Sequence, residues 1–352
     1  MSSNKPFYAI EKEIYFQLFE PAYRQMFTPQ CLIQFPILLP FQVPFEEGGA
    51  FSIFHDDYIS TFHFLTIIRQ ETVDGGVLGE SPAHLEVHKS RVEMVYVTDK
   101  EIALDEDHLS LYFDRLLEQL NKFLLSYLIY KKDSDVYRVS KEMMQFAVMY
   151  RAIDLTPWSE KGMGLLMLHF DVPYGRETLT APEVEQVTQY AYALTKNWNP
   201  FMTSEEIALN ARRYFKDGFY RETVIFTQTS VETFLNTLYR CFLAEEGKTN
   251  KEINEIMENT AFISMVKNQF HPRIGGNWTI ENSKTATGKW YTHTYQLRNR
   301  VAHGGHYPTF AEAQQAQLYG NEMRNYAITL LRKRQKLYPN TLTYLTPPPK
   351  DV

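Results

Sequence analysis

The hydrophobic period of this chain changes near residue 100, which limits the fold to one with a sheet-bearing part followed by helices. Before the change, Cys31 to Phe35, Tyr58 to Ile68 and His84 to Val97 are rich in the β-branched and aromatic residues that suit strands. Glu46-Glu47-Gly48-Gly49 and Asp74-Gly75-Gly76 punctuate them as turns. After it, Leu109, Tyr112, Leu116, Leu120, Phe123 and Tyr127 recur at three- and four-residue steps, the signature of a long amphipathic helix. A second helix is predicted over Val139 to Ile153. The apolar run Gly164 to Phe170 has strand length again, and Pro173 and Gly175 point to a loop beyond it.

The rest of the chain reads as helical. Thr180-Ala181-Pro182-Glu183 and Thr203-Ser204-Glu205-Glu206 are capping-box patterns and predict helix starts, with Asn197-Trp198-Asn199-Pro200 as a break between them. A helix from Phe219 to Ala244 buries Val224, Val231, Leu235, Leu238 and Phe242. It carries an i,i+4 polar stripe of Gln228, Glu232, Asn236 and Arg240. Further helices are predicted over Lys251 to Lys267, Trp290 to His303 and Thr309 to Leu337, with an exposed loop over Pro272 to Lys289. The expected class is α+β, a mixed α+β domain over residues 1–178 followed by an all-α bundle over 179–352, the boundary falling within about 175–203.

A length of 352 residues and 44% hydrophobic content suit two domains with proper cores. The net charge of −6 and the pI near 6.0 supply no global basic field, so any nucleic-acid contact has to come from a local patch. Cys31 and Cys241 lack paired spacing, which fits a reducing compartment and leaves no cysteine-built zinc site. Lys5, Glu11, Lys12 and Glu13 stand where a secretory leader would be basic and then apolar, and Phe35 to Phe41 is short and interrupted by Pro36 and Pro40. The expectation is therefore a cytoplasmic protein with no membrane partner. His84 and His88 share a face, but the metalloprotease pattern needs Glu directly after the first His, and His55-Asp56-Asp57 reads as a turn. No metal and no cofactor is expected.

One string stands out in the helical half: Arg298-Asn299-Arg300-Val301-Ala302-His303-Gly304-Gly305. With 17 Arg, 16 Asn and 10 His in the chain, an Arg-Asn pair with His at the fifth position after the Arg has a chance expectation of roughly 0.02. Asn299 and His303 are four residues apart and share a helical face, with Arg298 about 100° round from Asn299. Gly304 and Gly305 read as the helix stop, so His303 stands at the negative end of the helix dipole, a position that suits a cation. A second register, Arg300 and His306, lacks the adjacent amide and straddles the glycines, and ranks below the first.

These residues resemble the HEPN superfamily, whose ribonuclease members carry Arg, a polar residue, a short spacer and His on a late helix. Upstream, Tyr214-Phe215-Lys216-Asp217-Gly218-Phe219-Tyr220-Arg221 and Thr229-Ser230-Val231-Glu232-Thr233-Phe234-Leu235 look like the family's helix pair, with Glu232 at its acidic position. Trp290 and Tyr295-Gln296-Leu297 look like the ApeA-like branch of prokaryotic defence proteins. The likeness spans about residues 203–337, and Gly305 stands where the His-x-Tyr sub-type has tyrosine, which argues against that sub-type. The resemblance implies a homodimer with its site at the two-fold interface. It also implies a defence or toxin role in which the first domain senses a phage or nucleotide trigger, or restrains the second.

RNA carries its own nucleophile, the 2′-hydroxyl, so its cleavage needs a base, a cation on the phosphate and an acid for the leaving 5′-oxygen. His303 suits the base or the acid, Arg298 the phosphate charge, and Asn299 either the imidazole or the phosphate. Glu232 reads as an ion-pair partner for an arginine of the motif. Arg300, His306, Arg332, Lys333 and Arg334 are candidate RNA contacts, although the last three equally suit the end of their own helix. Residues five apart on a helix point about 140° from each other, so Arg298 and His303 meet only if the helix ends between them or a second copy contributes. Two other readings stay open: a non-catalytic module binding nucleotide, RNA or a protein, and a bundle that only dimerises.

Overall fold

Residues 11–18, 28–46, 48–73, 83–169, 180–196 and 199–345 are described by a computed structural model, in two units, Met1–Pro173 and Tyr174–Val352. The expected turn at Asp74 to Gly76, the loop at Pro173 and Gly175, and Asn197 and Trp198 lie outside the described residues.

The first unit is a six-stranded antiparallel sheet of order β2-β3-β4-β1-β5-β6. Its strands are β1 (Cys31–Leu38), β2 (Ala50–Phe54), β3 (Ile59–Val73), β4 (Ala83–Thr98), β5 (Ala147–Leu155) and β6 (Trp158–Met167). A short helix, α1 (Lys12–Leu18), precedes them, and α2 (Glu106–Lys131) lies between β4 and β5 in sequence. Alternation sorts each strand: Ile33, Phe35 and Ile37 of β1 face one way with Phe62, Phe64, Val92 and Met94, and α2 covers them. Leu109, Tyr112, Leu116 and Leu120 of α2 are all buried, as their spacing predicts, and Phe123 lies 4.4 Å from Phe51 between ring centroids. Asp105 caps α2 by accepting from the His108 amide at 3.1 Å. The opposite face carries Leu32, Ile59, Val95, Val97, Ile153 and Leu155 around Tyr15 of α1.

The helix predicted over Val139 to Ile153 does not form. Val139 is held in an extended segment by Asn121, whose side chain donates to its carbonyl at 2.8 Å and accepts from its amide at 2.7 Å. A single 3₁₀ turn at Lys141–Met143 follows, and then β5 fills the free edge of β1, with Ile33 opposite Ala152. Unpaired β1 backbone groups outweigh a local helical spacing. Consequently β6 begins at Trp158, earlier than the predicted Gly164.

The second unit is helical: α3 (Ala181–Lys196), α4 (Met202–Lys216), α5 (Tyr220–Glu245), α6 (Asn250–Glu258), α7 (Phe262–Gln269), α8 (His271–Ile274), α9 (Ala286–Trp290), α10 (Gln296–His303), α11 (Phe310–Lys333) and α12 (Pro339–Leu345). Of the Thr180 box the Glu183 half forms, its carboxylate accepting from the Thr180 amide and hydroxyl, each at 2.7 Å. The Thr203 box does not: Phe201 occupies the N-cap position, and Ser204 turns back to donate to its carbonyl at 2.8 Å. Phe201 is itself buried against Phe234, and this packing sets the helix start. The helix predicted over Lys251 to Lys267 is two, parted at Asn259 to Ala261, and the last helix stops at Lys333 with α12 beyond it. The segment Pro272 to Lys289, predicted as loop, contains most of α8 and the start of α9.

The central helix is α5, whose Val231, Phe234, Leu235, Leu238 and Phe242 are buried with Trp290, Met323 and Ala327. Gly320 of α11 meets α5 so closely that an added Cβ there would lie 2.7 Å from Thr227 Cγ2. Glycine at that crossing draws α11 onto α5, and α10 packs against the same helix.

Candidate functional site

The residues singled out in the sequence lie on a helix assembled from three pieces. A turn of π-helix, Tyr291–Tyr295, joins α9 to α10, and such turns recur at functional sites. Its Thr294 is fully buried and donates to the Ala316 carbonyl of α11 at 3.0 Å. Tyr291 and Tyr295 stack at 5.4 Å across it. Trp290, Thr294, Leu297 and Val301 are the buried face of this composite helix, which fixes where Arg298 points.

Arg298 is half-buried and pairs with Glu232 of α5, its guanidinium 5.6 Å from the Tyr295 ring centre. Glu232 also accepts from Gln228 Nε2 at 3.0 Å, and Gln228 Oε1 accepts from the indole N–H of Trp290 at 2.9 Å. Both Gln228 and Trp290 are completely buried. The chain Trp290–Gln228–Glu232–Arg298 therefore runs from the core to a surface cation, and each polar group in it has a partner. Sequence reasoning anticipated the Glu232 ion pair but missed the Gln228 and Trp290 steps. The signal for Gln228 was its place four residues before Glu232 in the polar stripe.

His303 is the last residue of α10 and is exposed, while Asn299, one turn earlier, is half-buried. The helix runs unbroken through both Arg298 and His303, so within one chain their side chains diverge by about 140°. Of the two ways for them to meet, the end of the helix between them is removed.

Arg300 and His306, ranked second from sequence, are brought together. The chain leaves α10 through Gly305 in the left-handed region, at φ 67°, and folds the His306 amide onto the Arg300 carbonyl at 3.2 Å. His306 Nε2 then lies 3.0 Å from Glu312 Oε2, and Arg300 reaches Oε1 of the same carboxylate at 3.4 Å. Glu312 is also the third residue of the α11 capping box, accepting from the Thr309 amide at 3.0 Å. Burial raises the Glu312 carboxyl, but the Thr309 amide, His306 and Arg300 together outweigh it and hold the group below the ordinary glutamate range. Arg332, Lys333 and Arg334 are exposed at the other end of α11, roughly 30 Å from Glu312 at 1.5 Å per residue. They do not extend this site.

A carboxyl held low in the folded state contributes stability that is present above its unfolded value and is lost as pH falls through the folded one. Glu312→Gln keeps a capping residue but removes the charge. The urea midpoints of the wild type and this variant are expected to differ at neutral pH and to converge as pH drops through and below the ordinary glutamate range. A gap that stays constant over that window would contradict the assignment.

Among the described residues no group of three or more His, Cys, Asp and Glu is placed to hold a metal ion. No helix among them is long and apolar enough to cross a membrane. Neither family models, nor curated proteins, nor solved structures offer any match to this chain.

Proposed function

We propose that the helical unit is a metal-independent endoribonuclease of HEPN type that works as a homodimer, in a prokaryotic antiphage or toxin-like role. The observation that carries this reading is the division of labour on α10. Arg298 is anchored by the Glu232 pair and the Gln228–Trp290 chain behind it, while Asn299 and His303 share the open face of the same short helix. An anchored guanidinium and an accessible imidazole, brought together from two chains, suit phosphodiester chemistry, because the fork holds phosphate oxygens and the ring moves protons.

In the proposed reaction His303 takes the proton of the RNA 2′-hydroxyl, and the 2′-oxygen attacks the adjacent phosphorus. Arg298 from the facing chain balances the charge on the phosphate oxygens, with Asn299 holding the phosphate. The bond from phosphorus to the 5′-oxygen breaks and that oxygen takes a proton from the His303 imidazolium, directly or through a water, leaving a 2′,3′-cyclic phosphate and a 5′-hydroxyl. DNA, lacking the 2′-hydroxyl, is inert. The first unit is the place for a phage or nucleotide trigger.

The rival is a non-catalytic module that binds nucleotide, RNA or protein, and the commitment of Arg298 to Glu232 favours it to the extent that the pair is purely structural. Incubating the intact protein with mixed RNAs in EDTA and identifying the new termini separates the two. Cyclic phosphate and 5′-hydroxyl ends are expected from RNA and no product from DNA. Absence of cleavage in EDTA removes the metal-free mechanism.

A further inference from the structure

A second feature of the helical unit lies away from α10, on the side of α5 that carries Thr227 and Ser230. Here α4, α5 and α11 border a cavity open to solvent on one side, of about 250 Å³, just below the sizes typical of ligand pockets, roughly 300–1,000 Å³. Its floor holds Arg324, which is 9% exposed and pairs with Glu205. Arg324 lies 5.4 Å from the Phe234 ring centre, so packing as well as Glu205 fixes its plane. Glu205 sits in the first turn of α4 with its side chain 55% exposed, against 11% for Arg324. The carboxylate can turn out into water at little desolvation cost, whereas the guanidinium is held in place.

Two further observations point to a ligand. Two residues of the lining, Arg324 and Thr227, each hold a buried polar atom, Nε and Oγ1, that has no hydrogen-bond partner in the protein. Leaving such groups unpaired costs about 1–3 kcal/mol each, which native proteins rarely accept without a use for them. Arg212 and Asn321 complete a polar lining, and the two arginines outnumber Glu205.

We propose that this cavity binds a small phosphorylated molecule, its phosphate displacing Glu205 and lying in the fork of Arg324, with Arg212 as second cation and Thr227 as hydroxyl donor. The Nε edge of a guanidinium and its neighbouring amino group form a bidentate match to two phosphate oxygens. The volume suits a phosphate with a body about the size of a pentose.

The test is calorimetric titration of the full chain with ribose 5-phosphate, inorganic phosphate and unphosphorylated ribose. Saturable binding with a Kd of about 1 mM or tighter is expected for a phosphate-bearing probe and none for ribose. The tighter of the two phosphates tells whether the free anion or an ester is the natural occupant. Glu205→Gln removes the competing carboxylate and is expected to tighten binding several-fold, while Arg324→Gln abolishes it. Thr227→Val preserves the shape and gives up no internal hydrogen bond, so its fold should survive while its affinity falls several-fold. No saturable binding by wild type and Glu205→Gln overturns the proposal, as does binding that Arg324→Gln and Thr227→Val leave unchanged. RNA cleavage is not the readout, so the outcome stands whether or not α10 is a nuclease site.

Discussion

Replacing His303 with alanine is expected to lower RNA cleavage by about 10²–10⁴-fold, the usual worth of a positioned proton-transfer group, and to leave the fold's resistance to urea essentially unchanged. The second half of that expectation comes from the structure. His303 is exposed on the last residue of α10 and the chain turns away at Gly304, so its loss opens no core cavity. Arg298→Ala is a poorer probe of the same chemistry, because it also strands the Glu232 carboxylate beside Gln228, and breaking a partly buried pair destabilises in its own right. Comparing the two variants separates chemistry from scaffolding: His303→Ala loses cleavage at constant stability, and Arg298→Ala loses both. Cleavage that persists at the wild-type rate in His303→Ala would remove this residue from the mechanism.

Where the sequence was legible, a local rule and the tertiary structure agreed. Leu109 through Leu120 are spaced for one helical face, and that face is the one buried on the sheet. The helix starts expected at Thr180 and Thr309 are both found, because the bonds between a threonine and the glutamate three residues on need nothing from elsewhere. Val139 to Ile153 failed for the opposite reason. Its outcome depends on Asn121 and on the open edge of β1, both remote in sequence. Thr203 failed because burial of Phe201 decides the start of α4.

The candidate site divides the same way. A carboxylate on one helix and an arginine on another made the Glu232–Arg298 pair readable, but the π turn that carries Thr294 inward has no sequence signature of its own. The lower rank of Arg300 and His306 rested on the missing adjacent amide and on the glycines between them as an interruption. Gly305 instead supplies the left-handed residue that folds His306 back toward Glu312. Glu312, absent from the sequence reading, both completes the α11 capping box and gathers His306 and Arg300, and the second role depends on the turn between α10 and α11.

The 140° divergence of Arg298 and His303 leads to the other large expectation. Since α10 continues through both residues, the proposed nuclease would take Arg298 from one chain and His303 from another, and a two-fold dimer would then have two such sites. Pure Arg298→Ala and pure His303→Ala dimers each lack one component in both sites and are expected to be inactive. In a mixed dimer, one site receives both lesions and the other receives neither, so that second site is intact. If the two variants are unfolded together, refolded and assembled at random, half of the dimers are mixed and half of their sites function. Cleavage should therefore return to about one quarter of the wild-type rate, from preparations that are separately inactive. A site contained in one chain gives no recovery under any mixing protocol, because no chain in the mixture carries both residues. Titrating the ratio sharpens the result: activity should peak at equal amounts and fall symmetrically to either side. A flat response at the level of the single variants would sink the shared-site arrangement even if His303→Ala alone had abolished cleavage.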